Sequence, residues 1–312
     1  MTTAVSEVEV TFSAPPPRRA RHDQGSPLDE VRRSIHTLVR QLSPETVACF
    51  STSIHPEDVR VGGSEDLYDG TERVARALVR HLGLPETEMH IRFPVLPAGR
   101  AGQVLLGDGY QIDIDQSIAA HRRDIGAVLA HEVTHVFLWH HRMRYEDEIL
   151  TDTAAAFLGV GWPMLDAYRL DYEVIRWLGY LAPDQFGYVL GRRALLFGED
   201  PEPSLSSPMA LGAYRHGHAG AMRDWTTPPL TSTDPGRRKD YQKDKARVRR
   251  ALDRGVLRPH AVSKGDGYAF SGRTPVMVTF GCPVCSVRIK LPVDSRVSIH
   301  CGTCGVDLDC ET

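Results

Sequence analysis

His131-Glu132-Val133-Thr134-His135 sets two imidazoles four positions apart, with a carboxylate beside the first. On a helix, residues four apart share a face, so both rings can converge on one metal ion. Glu132, one position on, can address a water beside that ion without being a ligand. Zinc there lowers the pKa of such a water toward about 7, and the carboxylate takes its proton as the water attacks a polarised carbonyl. With 14 His and 16 Glu among 312 residues, random order yields about 0.03 matches to this pattern, which makes coincidence a weak explanation. A catalytic site also needs a third protein ligand and an open position. Glu148 and Asp152 follow, one helical turn apart, so one can bind the metal while the other hydrogen-bonds a ligand histidine. Asp152, Glu146, His140 and His141 compete with Glu148 for the third place, and the residues alone leave that choice open.

A second cluster lies near the C-terminus. Cys282-Pro283-Val284-Cys285 and Cys301-Gly302-Thr303-Cys304 form Cys-x2-Cys-x15-Cys-x2-Cys, two knuckles of paired thiolates. Four thiolates close a tetrahedral shell, so a zinc held there is expected to be structural. Alternating residues between the knuckles read as strands, and the whole resembles a zinc ribbon. So small a module buries little apolar surface, and metal binding is expected to drive its folding.

His-Glu-x-x-His followed on a second helix by Glu-x-x-x-Asp resembles the gluzincin metallopeptidases, the thermolysin-like class, over residues 131–152. The gap between the two motifs is shorter than in thermolysin, so the likeness is to a minimal domain of that class. The resemblance implies a zincin-like fold and hydrolysis of peptide bonds. It implies zinc ligands His131, His135 and Glu148, Glu132 as the catalytic base, and Asp152 orienting a histidine. Joined to a zinc ribbon, the motif also resembles SprT-like proteases, which act on DNA-associated proteins and whose third ligand would be a histidine. A third reading is a non-catalytic zincin-fold binding or regulatory protein. Glu132 argues against it, since a purely structural site needs no water-activating base. Tyr145, Tyr172, Tyr180, His216 and His218 are available to stabilise an oxyanion, and no spacing selects among them. His216-Gly217-His218 would lie in the long loop, as an exposed polar stretch or, alternatively, as a flexible lid.

The elements that must position these groups follow from periodicity. Apolar residues recur at helical spacing over residues 28–42 and 70–82, and short strand-like runs follow between 89 and 115, with Gly107-Asp108-Gly109 as a hairpin signal. The motif helix spans about 118–139, and another runs from about 145 to Gly159 or Gly161. Pro183 suits the first turn of a helix over 183–197. The expected class is α+β: a small, mainly antiparallel sheet with active-site helices over residues 28–198, then a β-rich zinc ribbon over 275–312. Residues 1–27, with Pro15-Pro16-Pro17 and few large apolar side chains, are expected to be disordered. Residues 199–236, rich in Pro, Gly, Ser and Thr, read as a long loop or linker, and 237–274 as a basic helix with a connector.

Composition sets the outer limits. With 41% hydrophobic and 25% charged residues the chain can bury a substantial core. It shows no run of about 20 apolar residues and no apolar signal segment, which points to the cytoplasm. Cys49 reads as a small buried hydrophobe and Cys310 as a spare thiol at a mobile end. From Gly236 onward 15 Lys and Arg face 8 Asp and Glu, net +7, whereas 22 face 32 before it, net −10. The expected partners are a protein or peptide substrate and, through the basic C-terminal region, an acidic molecule or nucleic acid.

Overall fold

The computed structural model describes residues 8–13, 27–107, 109–171, 174–254, 260–262, 267–271 and 274–312. Within the first 27 residues, Val8–Ser13 forms a strand, β1. The expectation of disorder is corrected there: Val8, Val10 and Phe12 alternate with Glu9, Thr11 and Ser13, the period of a strand. For residues 1–7 and 14–26 it lies outside the described residues.

Helix α1 (Asp29–Gln41) buries Val31, Ile35, Leu38 and Val39 along one stripe. The short α2 (Pro44–Cys49) starts on a Ser43 cap, and α3 (Leu67–His81) on an Asp66 cap. On α2 the inward residue is Val47, followed by buried Phe50, so Cys49 faces solvent rather than the core. Strands β2 (Met89–Arg92), β3 (Arg100–Leu106) and β4 (Tyr110–Ile114) join β1 in a sheet of order β1-β3-β4-β2. Its β1/β3 and β3/β4 pairs are antiparallel, and β2/β4 is parallel. The β3/β4 hairpin turns where the glycines predict it.

After the single turn α4 (Gln116–Ala119) comes α5 (Arg122–His140), buried on every side from Asp124 to Leu138. It is the central element, packed by the sheet, by α3 and by α6 (Glu148–Phe157) and α7 (Trp162–Asp166). A one-sided amphipathic helix would face solvent somewhere, and Ala127, Ala130 and Gly126 let neighbours close around this one. Its first turn is fixed by Arg169, whose guanidinium makes a bidentate, buried pair with Asp124 at 2.6 and 2.8 Å. Arg169 belongs to a small hairpin, β5 (Arg169–Asp171) and β6 (Val174–Arg176).

Helix α8 (Pro183–Phe197) then packs along α9 (Pro208–Trp225), the most extensive helix pair of the fold. The loop expected over 199–236 is corrected here. Ser207 caps α9, Pro208 takes its first turn, and Gly217 lets the backbone of α8 come close, so residues that weaken an isolated helix serve the packing.

Helix α10 (Pro235–Asp253) is followed by β7 (His260–Val262), β8 (Tyr268–Ser271), β9 (Met277–Gly281) and β10 (Arg288–Pro292), an antiparallel sheet in that order. β11 (Arg296–His300) and β12 (Asp307–Glu311) form a separate hairpin. The sheet reaches back to His260, so His260–Val262 and Tyr268–Ser271 are strands rather than connector: Tyr241 of α10 packs on Tyr268 and Phe270 of β8. Cys310 is buried in β12 and bridged to Leu230, not at a mobile end, and burial pushes its thiol up to about 11. The architecture is α+β. No helix among the described residues is long and apolar enough to cross a membrane.

Candidate metal centres

His131 and His135 project from one face of α5, and their Nε2 atoms lie 2.8 Å apart. Glu148, at the start of α6, brings Oε2 to 3.1 Å from the first and 3.3 Å from the second. Asp147 caps α6 by accepting from Leu150 N, which sets the helix to begin where Glu148 faces α5. The three donor atoms form a group that could hold a metal ion. His140, His141 and Glu146 are exposed and stand outside it.

Each imidazole is held from behind. Nδ1 of His131 donates to Asp152 Oδ1 at 2.8 Å, and Nδ1 of His135 to the Tyr145 carbonyl at 2.5 Å. With an ion bound, those bonds would keep the ring proton on Nδ1 and leave the Nε2 lone pair for the centre. Asp152 is itself fixed, with Oδ2 accepting from Tyr180 N at 2.5 Å and Leu181 N at 2.9 Å. The turn that presents those amides depends on Gly179 at φ +109, where an added Cβ would also meet Asp152 Oδ2 at 2.9 Å. The Tyr180 ring stacks on His131.

Glu132 is fully buried, and neither carboxylate oxygen has a hydrogen-bond partner among the described residues. β3 passes directly over it: a Cβ at Gly102 would lie 2.8 Å from Glu132 Oε1 and 2.6 Å from Val128. Burial pushes the Glu132 carboxyl up to about 8; the imidazole of His131 opposes the rise, and Glu148 and Asp113 add to it. For Glu148, burial works upward, but the bonds to His131 and His135 outweigh it and hold the carboxyl at about 2. Burial disfavours a charged His131, yet its two carboxylate partners raise it to about 10, and His135 is lowered by burial and by its charged neighbour. The three acidic groups of one site thus differ in environment: Glu148 and Asp152 are partnered, and Glu132 is not.

Among the expected oxyanion donors, His216 and His218 lie on α9 and not on a flexible lid, with His218 against the Tyr214 ring. Tyr145 and Tyr180 border the centre, and Tyr172 lies outside the described residues. The Tyr145 carbonyl, the Tyr180 and Leu181 amides and Gly102 carry no motif, and no sequence signal marks them.

The second group gathers the two knuckles. Sγ of Cys282 lies 3.6 Å from that of Cys304, and Cys285 Sγ 3.7 Å from Cys301, too far for disulfides and close enough for the four to share one ion. The first knuckle is tied to the helices. Arg192 of α8, 2% exposed, donates from Nη1 to the Val284 carbonyl and to Ser286 Oγ, each at 2.9 Å, while its Nη2 pairs with Asp224 of α9 at 2.6 Å. Asp224 also accepts from Arg32 and from the Tyr188 hydroxyl. Nδ1 of His36 lies 3.2 Å from the Cys285 carbonyl. Compared with protein-family models, with curated proteins and with solved structures, the chain finds no match.

Proposed function

We propose that the chain is a zinc-dependent metallopeptidase of the gluzincin type, with a zincin-like body and a structural zinc in a C-terminal ribbon. The observation that carries this reading is the unpartnered, buried carboxylate of Glu132 beside the His131, His135 and Glu148 donors. A site built solely to hold an ion has no use for a further, hydrogen-bond-free acid.

Zinc suits both donor sets. Four sulfurs at about 2.3 Å from a tetrahedral ion are about 3.8 Å from one another, and the observed separations are 3.6 and 3.7 Å. Nitrogen and oxygen donors at about 2.0–2.1 Å are about 3.3–3.4 Å apart, against 2.8, 3.1 and 3.3 Å here. In the first set three donors leave a fourth position, and in the second none is left. Four convergent thiols also suit a reducing compartment such as the cytoplasm.

Bound at the first site, zinc would polarise a carbonyl and acidify a water. Glu132 then accepts the proton of the attacking water on a carboxylate oxygen and returns it to the departing amide nitrogen. His131 and His135 are kept in the ligating tautomer by Asp152 and the Tyr145 carbonyl. The carboxylate at the third position favours this reading over the SprT-like one, which needs an imidazole there. The protein or peptide substrate, and an acidic partner for the basic C-terminal region, belong to the same proposal.

The test compares wild type with Glu132→Gln on a broad peptide library, alongside metal analysis. Both should carry two zinc ions per chain, with cleavage in wild type alone and a loss of at least about 100-fold in the variant. Equal cleavage by the two, or none by either, overturns the peptidase reading.

A further inference from the structure

Large apolar side chains scattered singly over a surface need no explanation, whereas several on one flank mark a contact with something. Among the described residues seven large hydrophobics are exposed, and five of them, Tyr68, Val95, Leu170, Val174 and Ile175, are each more than half exposed. Those five belong to segments that touch one another in series. The Tyr68 ring meets Phe93 edge-on at 5.3 Å, and Phe93 opens the loop that carries Val95. The Pro94 carbonyl of that loop accepts from the amide of Gln116, the first residue of α4. Ile118 of α4 and Ile175 of β6 then line one cavity with Trp177 and Leu178, and Leu170 is the cross-strand partner of Ile175. The cavity measures about 240 Å³. Small-molecule pockets run to about 300–1,000 Å³, so this one suits a single large side chain. Its wall also holds Asp124, which Arg169 neutralises at 2.6 and 2.8 Å, so no bare charge meets an apolar guest. Two routes lead from this flank to the first metal centre. Along the chain, Ile175 comes five residues before Tyr180, whose ring stacks on His131. Along α5, Asp124 lies two turns before His131, about 10 Å at about 1.5 Å per residue. An extended polypeptide covers that distance in about three residues.

We propose, resting on the peptidase reading, that this flank holds an apolar segment of the substrate, and that the substrate class is the unfolded protein. A folded protein keeps most of its large apolar side chains inside, whereas an unfolded chain offers them along extended stretches. A segment seated on the hairpin and on Val95, with one side chain in the cavity, places a bond about three residues away at the His131, His135 and Glu148 donors. The concave cavity, sized for one side chain, favours a polypeptide over a bilayer surface.

The experiment uses the full chain carrying Glu132→Gln, so that nothing is cut, with either the native flank or Leu170→Thr, Val174→Thr and Ile175→Thr together. Threonine keeps the strand preference of those positions and removes their apolar ends. The probe is fluorescent α-lactalbumin, reduced and carboxymethylated so that it stays unfolded, followed by anisotropy beside its native folded form. The native flank should bind the unfolded form at least tenfold more tightly than the folded one, and the threonine form should lose at least tenfold of that affinity. Equal affinity of the two chains, equal affinity for the two probes, or no binding at all overturns the proposal. So does retention on phosphatidylcholine–phosphatidylserine vesicles, or a dimer that the threonine form dissolves, where the probe does not bind; these would assign the flank to a bilayer or to a second copy. Should the threonine form fail to fold, Val95→Thr decides: this exposed loop position should weaken probe binding at least threefold, and unchanged affinity overturns the proposal. Probe binding without library cleavage by the chain that keeps Glu132 would remove the peptidase reading and leave a surface that holds unfolded chains. Library cleavage without probe binding would keep the peptidase and sink this substrate class.

Discussion

Replacing Asp152 with asparagine changes one oxygen into an NH2 group and little else, and it isolates what the carboxylate does for the candidate metal site. Oδ2 serves the amides of Tyr180 and Leu181, so the amide oxygen of asparagine is claimed there. Its NH2 group then faces Nδ1 of His131, which sits 2.8 Å from Oδ1 in the native protein. Two donors cannot share that contact, and His131 must move its proton to Nε2, the atom that meets His135 and Glu148. The ring would then present N–H where a lone pair is needed. The alternative, flipping the amide, sets NH2 against two backbone N–H groups. Either choice leaves a buried donor unmatched, at a cost of about 1–3 kcal/mol. At about 1.4 kcal/mol per factor of ten, zinc affinity at this site should fall by about 10- to 100-fold. Competition with a chelator of known affinity measures it, and the cysteine site serves as internal control because it should hold its ion unchanged. An asparagine variant binding zinc within threefold of wild type at the first site would refute the claim that Asp152 sets the tautomer of His131.

Two further outcomes follow from buried groups away from that centre. Burial lowers the pKa of His81, the Leu158 carbonyl and Glu199 pull it up, Arg193 pushes it down, and the net shift is downward. The unfolded chain therefore takes up this proton first. The His81 contribution is complete above its unfolded pKa of about 6.5 and is lost as pH falls below that. His81→Gln should flatten the fall in melting temperature between pH 7 and 5, and an unchanged slope would remove His81 from the acid response. Arg192→Met strips the Val284 carbonyl and Asp224 of a buried donor. Since Asp224 keeps Arg32 and Tyr188, the loss of stability in urea should be about 2–4 kcal/mol, toward the lower end for a broken buried pair. A chelator should also draw zinc from the cysteine site faster in that variant, and equal release rates would show that the arginine does not support the knuckle.

What could be read in the chain beforehand was what helix and knuckle geometry impose locally. His131 and His135 had to share a face, the cysteine pairs had to form knuckles, and Glu148 with Asp152 had to lie one turn apart. Glu148 could not be separated from its rivals, because the angle between α5 and α6 is set by tertiary packing that spacing does not encode. The Tyr145 carbonyl and the Tyr180 and Leu181 amides are backbone groups, and any side chain would have offered them equally. β1 was hidden by its short length and its proline-rich neighbours, and α9 by glycines whose cost in a helix is recovered only where another helix approaches. The cluster of Arg32, Tyr188, Arg192 and Asp224 joins three helices across up to 192 positions of sequence, which no local pattern reports.

The crossing of α8 and α9 has a further meaning for how the molecule tolerates change. At Gly187 an added methyl would strike the carbonyl of Ala213, at Gly217 the backbone around Gly187 and Tyr188, and at Gly191 the Cα of His218. Main chain rests on main chain there, so the joint has no side chains to reshuffle and cannot slip by a residue. Drift in this protein should therefore accumulate on the outer faces of those two helices and avoid their seam. An alanine walk along the seam should unfold the chain at those three positions, whereas the same walk at exposed Gly212, with open space around it, should pass unnoticed.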